Sequence, residues 1–423
     1  MARSPASRSP RSATASAAAG DRDPVVIVGM ARTPMGGFQG VFADLAAADL
    51  GAVAIRAAVA RAGVAAGDVS DVLMGCVLPA GQGQAPARQA AIKGGLPHDV
   101  PATTVNKMCG SGMKAVMMAA DALAARPRDV MVAGGMESMS NAPYILPKMR
   151  RGARLGHAEA KDHMFIDGLE DGFGSASAAG GGGRLMGVFA EDTAEKYQMT
   201  RAEQDAFATA SLTRAKAAIA SGAFDAEVAP VMLATRKGEA EVCVDEQPGA
   251  ADAARIPLLK PAFRKDGSVT AANSSSISDG AAAIVLMRAS EAGRRGLTPL
   301  ARIVASATHA QDPAWFTTAP IGAIGKVCAA AGWKAEDAGI LYEINEAFAV
   351  VTMAAMRDLG LDHARVNVHG GACALGHPVG ASGARIIITL LAAMQRHGYA
   401  RGVAALCIGG GEATAIAIER TDG

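Results

Sequence analysis

The sequence predicts an α/β protein made of two related halves, with a separate segment inserted into the first. Three observations predict it. Short β-branched and apolar runs alternate with Ala/Leu-rich stretches of helical length, the pattern of parallel α/β architecture. The stretch "VNKMCGSGMKAVMMAADALAA…VMVAGGMES" is matched later by "VNVHGGACALGHPVGASGARIIITLLAAM…AALCIGGGEAT", each reading strand, Gly-rich turn, GSGxK or ASGxR, helix, strand, Gly-Gly. In the second copy the last glycines run directly into a closing strand, "TAIAIER", whereas the first copy finds its counterpart, "GAAAIVLMR" at 280–288, only after a long interval.

Taken in order, the fold starts at "PVVIVGMARTP", a buried strand closed by Gly29 and Pro34. Helical segments near 46–62, 86–94 and 113–125 then alternate with apolar runs at 72–78, 102–106 and 130–133. The interval before the closing strand carries a Gly/Ala stretch, "GSASAAGGGG", a basic loop, "KMRRGAR", and one strong helix near 200–221. The expected organisation is a tail at 1–23, a first half at 24–138 plus 279–298, an inserted loop domain at 139–278, and a second half at 299–423.

Composition bounds the function. A chain of 423 residues, 50% hydrophobic and 19% charged, is long enough for large buried cores. A net charge of +1 with 4% aromatics argues against a nucleic-acid surface built from basic and stacking residues, although a small anion needs only a local site. The cysteines at 76, 109, 243, 328, 373 and 407 form no CxxC pair and no framework spacing, which suits free thiols in a reducing compartment. No apolar run approaches the roughly 18 residues that a membrane span requires. Residues 1–20 are rich in Ser, Ala and Arg and carry no acid, a composition shared by organelle transit peptides, disordered tails and overextended starts. Lys148, Arg150, Arg151 and Arg154 are read either as a solvated basic face or as a meeting point for phosphate or a neighbouring subunit.

The candidate chemistry starts at Cys109, which follows a β-branched run and is placed by the pattern at the first turn of a helix, flanked by Gly110, Ser111 and Gly112. The N–H groups and partial positive charge of a helix start favour a thiolate, and the glycines are expected to let a ligand approach the backbone. The bland alternative is a small buried Cys on a tight turn. His377 holds the corresponding place in the second copy, where an imidazole serves a thiol as base. Cys407 ends a buried strand, and Gly409 to Gly411 behind it leave backbone N–H groups for an oxyanion. Asn345, at a strand-to-helix junction, is expected first as an N-cap and second as a water-holding amide. His369, Cys373 and His377 stand at i, i+4 and i+8, but Gly370, Gly371, Gly376 and Pro378 forbid the continuous helix that would aim them at a metal, so no metal is assigned.

The blocks "VNKMCGSGMKA", "NEAFA", "NVHGGACALGHPVGASGAR" and "CIGGG" resemble the signature blocks of the thiolases, in order and over essentially the whole chain from about residue 24 to 420. The resemblance implies an α/β fold of five layers, αβαβα, with two pseudo-twofold-related βαβαβαββ halves and an inserted loop domain. It implies that Cys109 is the acylated nucleophile, activated by His377. His377 and a water held by Asn345 would form one oxyanion hole, and the N–H groups of Cys109 and Gly409 the other. Cys407 would move the proton at the α-carbon of the second acyl-CoA. Ser275 and Phe316 would lie near the pantetheine arm. Coenzyme A is then substrate and product, and no cofactor is needed. "NAPYILPKMRRGARLG" resembles the family's tetramer-forming segment, which implies a homotetramer, or at least a dimer. A cytoplasmic enzyme is expected, or a mitochondrial one if residues 1–20 are a transit peptide.

Two positions depart from the pattern. Leu185, Met186 and Gly187 stand where short-chain members have His-Met-Gly, and "DEQPG" lacks the Arg that contacts the adenine nucleotide in many members. The implied reaction is the reversible condensation of two acetyl-CoA to acetoacetyl-CoA and CoA. The alternatives are thiolysis of longer 3-ketoacyl-CoA, which an apolar Leu185 would favour, and a non-catalytic acyl-CoA-binding or lipid-binding member. A β-ketoacyl synthase would show Cys-His-His where this chain has Asn345 and Cys407.

Overall fold

The computed structural model describes residues 23–173, 183–236 and 238–421. The tail expected at 1–23 therefore falls outside the described residues except for Asp23, as does nearly all of the Gly/Ala stretch at 174–183.

The first half contributes β1 (Val25–Arg32), α1 (Ala47–Ala62), β2 (Asp71–Gly75), α2 (Pro86–Lys93), β3 (Ala102–Val105), α3 (Ser111–Ala125) and β4 (Met131–Ser138). Next come α4 (Met186–Lys196) and α5 (Arg201–Ala220), then β5 (Ser278–Arg288). The second half adds β6 (Ala301–Ala310), α6 (Ala319–Ala331), β7 (Ile340–Ile344), α7 (Ala349–Leu359), α8 (Ser382–His397), β8 (Arg401–Ile408) and β9 (Glu412–Arg420). Among the described residues between 139 and 278 there are two long helices rather than the single one expected, together with a hairpin of Val231–Thr235 against Gly238–Val242. The unexpected helix is α4, which directly follows a stretch without hydrophobic period.

Among the described residues a ten-stranded mixed sheet runs β7-β8-β9-β6-β1-β5-β4-β2-β3, with a two-residue strand at Gly36–Gly37 added beside β5. Apart from the outer β3 its order is palindromic. Reading outward from the central β1–β6 contact, each half places its closing strand next, then the strand that precedes it, then the early strand parallel to that one. Closing strand β5 pairs antiparallel with β4, from Asp279 opposite Ser138 to Leu286 opposite Met131, although the segment holding α4 and α5 separates them in sequence. In the second half, β9 pairs in the same manner with β8 across a tight turn at Gly410 and Gly411, both at positive φ.

Strand residues alternate between distinct cores. Along β5, Ala281, Ala283, Val285 and Met287 pack with α1 and α2, while Ala282, Ile284 and Leu286 pack with α3 and α8. Along β8, Val403 and Ala405 face a core with α6, and Ala404 and Leu406 join the same α3/α8 core. Helices α3 and α8 thus sit in one layer shared by both halves, and strands buried on both faces read as apolar runs for that reason. Each fully buried Ile or Leu of this layer contributes on the order of 1.5–3 kcal/mol. The shared layer brings the starts of α3 and α8 together.

Candidate active site

Cys109 stands two residues before α3, not in its first turn. The loop ahead of it is held by its own side chains. Asn106 Oδ1 accepts the N–H of Met108 at 2.9 Å, and Met108 takes a left-handed φ of 46°. Ser111 Oγ accepts the N–H of Lys107 at 2.8 Å and donates to the carbonyl of Met108 at 2.6 Å. Lys107 Nζ reaches Glu412 on β9 at 2.6 Å, tying the loop to the second half.

The glycines beside Cys109 do not open a path for a ligand, as the sequence suggested. A Cβ on Gly110 would lie 2.4 Å from Ile408 Cδ1, and one on Gly112 would lie 2.9 Å from the backbone N of Ala384 and 3.0 Å from the carbonyl of Gly380. They are small because the second half presses against them.

The second turn is built in parallel. His377 is buried, its backbone N–H donating to Ser278 Oγ at 3.1 Å, and its Nδ1 lies 2.6 Å from Ser382 Oγ. Ser382 Oγ also reaches the carbonyl of Pro378 at 3.0 Å; with the hydroxyl proton assigned to that carbonyl, Nδ1 is the ring nitrogen that donates. That leaves Nε2 bare. It is buried and has no partner. Burial, with Arg385 nearby, pushes His377 down to about 3, so the ring rests neutral with Nε2 as a free acceptor.

Both residues line one cavity of about 310 Å³. Burial pushes the Cys109 thiol up to about 11, against the pull of the backbone N–H groups of Gly409 and of Cys109 itself, with a nearby Glu137 carboxylate adding to the rise. The Cys109 thiol is thus held above the ordinary thiol range rather than below it, against the thiolate expected at a helix start, because desolvation outweighs two N–H donors. Cys407 is fully buried at the end of β8, raised well above the ordinary thiol range by burial and by the proximity of Cys109. The two thiols are thus electrostatic neighbours.

Gly409, Ser275, Met186 and Phe316 also line this cavity. Leu185 does not; its backbone bridges to Glu170 one residue outside the wall. Phe316 is buried edge-to-face against Phe189, with centroids 5.8 Å apart. Asn345 ends β7 with its N–H donating to the carbonyl of Ala405 at 3.0 Å on β8, beside the end that carries Cys407. It caps no helix, because α7 begins at Ala349 with Phe348 in the cap position. Both side-chain amide atoms of Asn345 are buried without a protein partner.

Other wall residues escaped the sequence reading. Met108, Ala347 and Phe348 lie inside the quoted motifs but are apolar, and Ile166 to Phe173 belong to the inserted stretch, where no motif marked them. Phe173 lies over Gly410, where a Cβ would meet its ring at 3.1 Å. Among the described residues no lysine or arginine lines the cavity. The "DEQPG" stretch has structural partners instead: Asp245 takes the buried Arg32 guanidinium at 2.7 Å, and Glu246 accepts N–H groups of Gly37 and Val41. His369, Cys373 and His377 diverge, the first bonding His397 Nε2 at 3.0 Å and the second the carbonyl of Glu346.

Residues 25–290 match the family model of the thiolase N-terminal domain, and residues 297–420 that of the thiolase C-terminal domain. The chain belongs to the thiolase family. It is 50% identical over 398 residues to an acetyl-CoA acetyltransferase of Pseudomonas aeruginosa, covering 94% of this chain and 99% of that protein. It is 46% identical over 401 residues to the cytosolic acetyl-CoA acetyltransferase of mouse, covering 94% and 98%. A mitochondrial acetyl-CoA acetyltransferase B of Xenopus laevis is 50% identical over 400 residues, covering 94% and 92%. Among the described residues of this thiolase no helix is long and apolar enough to cross a membrane.

Proposed function

We propose that the chain is an acetyl-CoA C-acetyltransferase that joins two acetyl-CoA into acetoacetyl-CoA and CoA, reversibly, through an acetyl group on Cys109. The observation that carries the reading is the bare, buried Nε2 of His377 on the same cavity as a thiol that receives the Gly409 N–H. As the Cys109 sulfur attacks the thioester carbon, its proton passes to His377 Nε2 and then to the departing CoA sulfur. The acetyl oxygen takes the N–H groups of Gly409 and Cys109, the donors that already reach the sulfur.

Acting as its thiolate, Cys407 then removes a proton from the methyl group of the second acetyl-CoA. The enolate carbon attacks the acetyl carbonyl, the Cys109–acyl bond breaks, and the proton held by Cys407 passes to the departing Cys109 sulfur. In the thiolysis direction Cys407 gives that proton back, a task suited to a thiol that burial keeps protonated. Its enolate oxygen would be met by His377 and by a water on the unpartnered Asn345 amide. The apolar part of the wall, with Met108, Ile166, Leu169, Met186, Phe316 and Phe348, fits an uncharged acyl and pantetheine arm, and the acidic residues on it are Asp167, Glu170 and Asp171.

The shared α3/α8 layer supports the five-layered αβαβα reading, with residues 139–278 as the loop domain. A homotetramer is supported by the apolar side chains exposed beside the basic loop, Leu155 at 98% and Tyr144 at 69%. A cytoplasmic or a mitochondrial location agrees with the cytosolic mouse relative and the mitochondrial Xenopus laevis relative.

The test is the reaction itself. Purified protein given acetyl-CoA alone should release CoA and form acetoacetyl-CoA, and acetoacetyl-CoA with CoA should return two acetyl-CoA. Binding of acetyl-CoA with neither conversion would instead indicate a non-catalytic binding member.

A further inference from the structure

The mechanism needs the Cys109 loop of the first half and the His377 turn of the second to hold one relative position, and a single buried carboxylate joins them. Glu137, on β4, is fully buried. Its Oε2 accepts the N–H of Val77 at 2.9 Å, from the first half, and the N–H of Gly380 at 2.9 Å, from the turn between His377 and Ser382. Its Oε1 accepts the N–H of Leu78 at 3.1 Å and the Cys76 thiol at 3.5 Å.

The backbone is shaped around this contact. A Cβ on Gly380 would lie 2.6 Å from Glu137 Oε2, 2.8 Å from the carbonyl of Met136 and 3.0 Å from Cys76 Cα. On the opposing side, a Cβ on Gly75 would strike the carbonyl of Gly380 at 2.7 Å, and one on Gly135 would strike it at 1.9 Å. Only glycines allow the two halves this close, and the approach sets Gly380 N–H directly on the carboxylate.

We infer that Glu137 is a positioning residue for acyl transfer, its Oε2 clamping the His377–Ser382 turn onto the half that carries Cys109. The inference rests on the acyl-transfer reading above. Glu137 touches no reacting atom. It acts through Gly380, whose turn also contains the Pro378 carbonyl and the Ser382 hydroxyl that fix the imidazole tautomer. Its charge also reaches the sulfur, raising the Cys109 thiol. Burial pushes Glu137 itself up to about 7 in spite of three backbone N–H donors, which marks how far the site is removed from water.

The experiment compares full-length wild type, Glu137→Gln, Gly380→Ala and the double variant, measuring kcat and KM for acetoacetyl-CoA thiolysis, the rate of Cys109 acetylation by acetyl-CoA, and Tm. Gln keeps the shape but turns one corner into a donor that faces a backbone N–H. Ala displaces the same carboxylate oxygen from the other half. A geometric misplacement near the reacting atoms costs on the order of 10²-fold in rate. Each single variant should therefore lose at least about tenfold in kcat and in acetylation rate with KM within about threefold, and the double variant should lose little more than either single one.

Wild-type kcat in a variant whose Tm has fallen would overturn the positioning role, as would losses that multiply in the double variant. Should Glu137→Gln not fold, kcat and KM of Gly380→Ala alone decide in the same way. Failure of wild type to acetylate Cys109 would strike the acyl-transfer reading instead, so the two failures are separable.

Discussion

The two Gly-rich turns occupy matching places in the two halves, and each keeps a serine at its helix start, but the serines serve different partners. Ser111 donates to the Met108 carbonyl and accepts a main-chain N–H, that of Lys107. Ser382 donates likewise to the Pro378 carbonyl and has an imidazole nitrogen as its other partner. One hydroxyl therefore braces a backbone, and the other sets the protonation of a ring. On the proposed mechanism the difference is how a repeated fold divides labour: the scaffold stays symmetric while one turn offers sulfur and the other a base. Cys407 completes the second side, one strand end away.

The largest effects should come from breaking that division on its chemical side. His377→Asn should slow acetylation of Cys109 by about 10² to 10⁴-fold, the usual contribution of a positioned general base, in single-turnover measurements with acetyl-CoA. Cys407→Ala should leave that acetylation within a few-fold of wild type but abolish exchange of deuterium into the acetyl methyl group. Comparable losses of acetylation in both variants would erase the distinction between nucleophile and α-carbon base.

The serine pair sharpens the comparison at smaller magnitude. Ser382→Ala frees Nδ1 to lose its proton to Nε2, and thiolysis should fall by roughly ten- to a hundredfold with little change in Tm. Ser111→Ala should act the other way round, keeping most of kcat while costing about 1–3 kcal/mol of stability in denaturant unfolding, because a main-chain N–H loses its acceptor. Equal behaviour of the two variants would mean that the turns are functionally alike.

The smallest effect is expected at Leu185. Since it lies outside the cavity wall, Leu185→His should shift kcat/KM across 3-ketoacyl chain lengths by less than about threefold, whereas Phe316→Ala should shift it within the 10 to 200-fold range of a pocket contact. A chain-length switch at Leu185 would show that the wall rearranges when substrate binds.

Much of this was legible in the residues. The repeat marked which strands share a sheet, because β-branched runs buried on both faces leave an apolar imprint, and the closing strand at 278–288 shares that imprint with 412–420. The residue types of Cys109, His377 and Cys407 were also plain. What the sequence could not carry was environment. Local reasoning at a helix start favours a thiolate, but the opposing turn, which desolvates Cys109, is distant in sequence. Asn345 read as a cap because Asn usually is one, yet the helix starts later, at Ala349. Gly110 and Gly112 read as ligand access for the same reason: the groups they make room for, Ile408 and the Gly380–Ala384 turn, come from the other half. Glu137 bears no motif of its own, and its role follows only from which N–H groups converge on it.

The central claim is that the first-half turn carries the acyl group and the second half moves protons. The most direct measurement is peptide mass spectrometry of wild type, Cys109→Ser and Cys407→Ala after brief mixing with acetyl-CoA and acid quench. The account predicts a single acetyl group on the peptide containing Cys109 in wild type and in Cys407→Ala, and none on any cysteine in Cys109→Ser, whose turnover should fall by on the order of 10⁴-fold or more. An acetyl group on Cys407, in wild type or in Cys109→Ser, would contradict it.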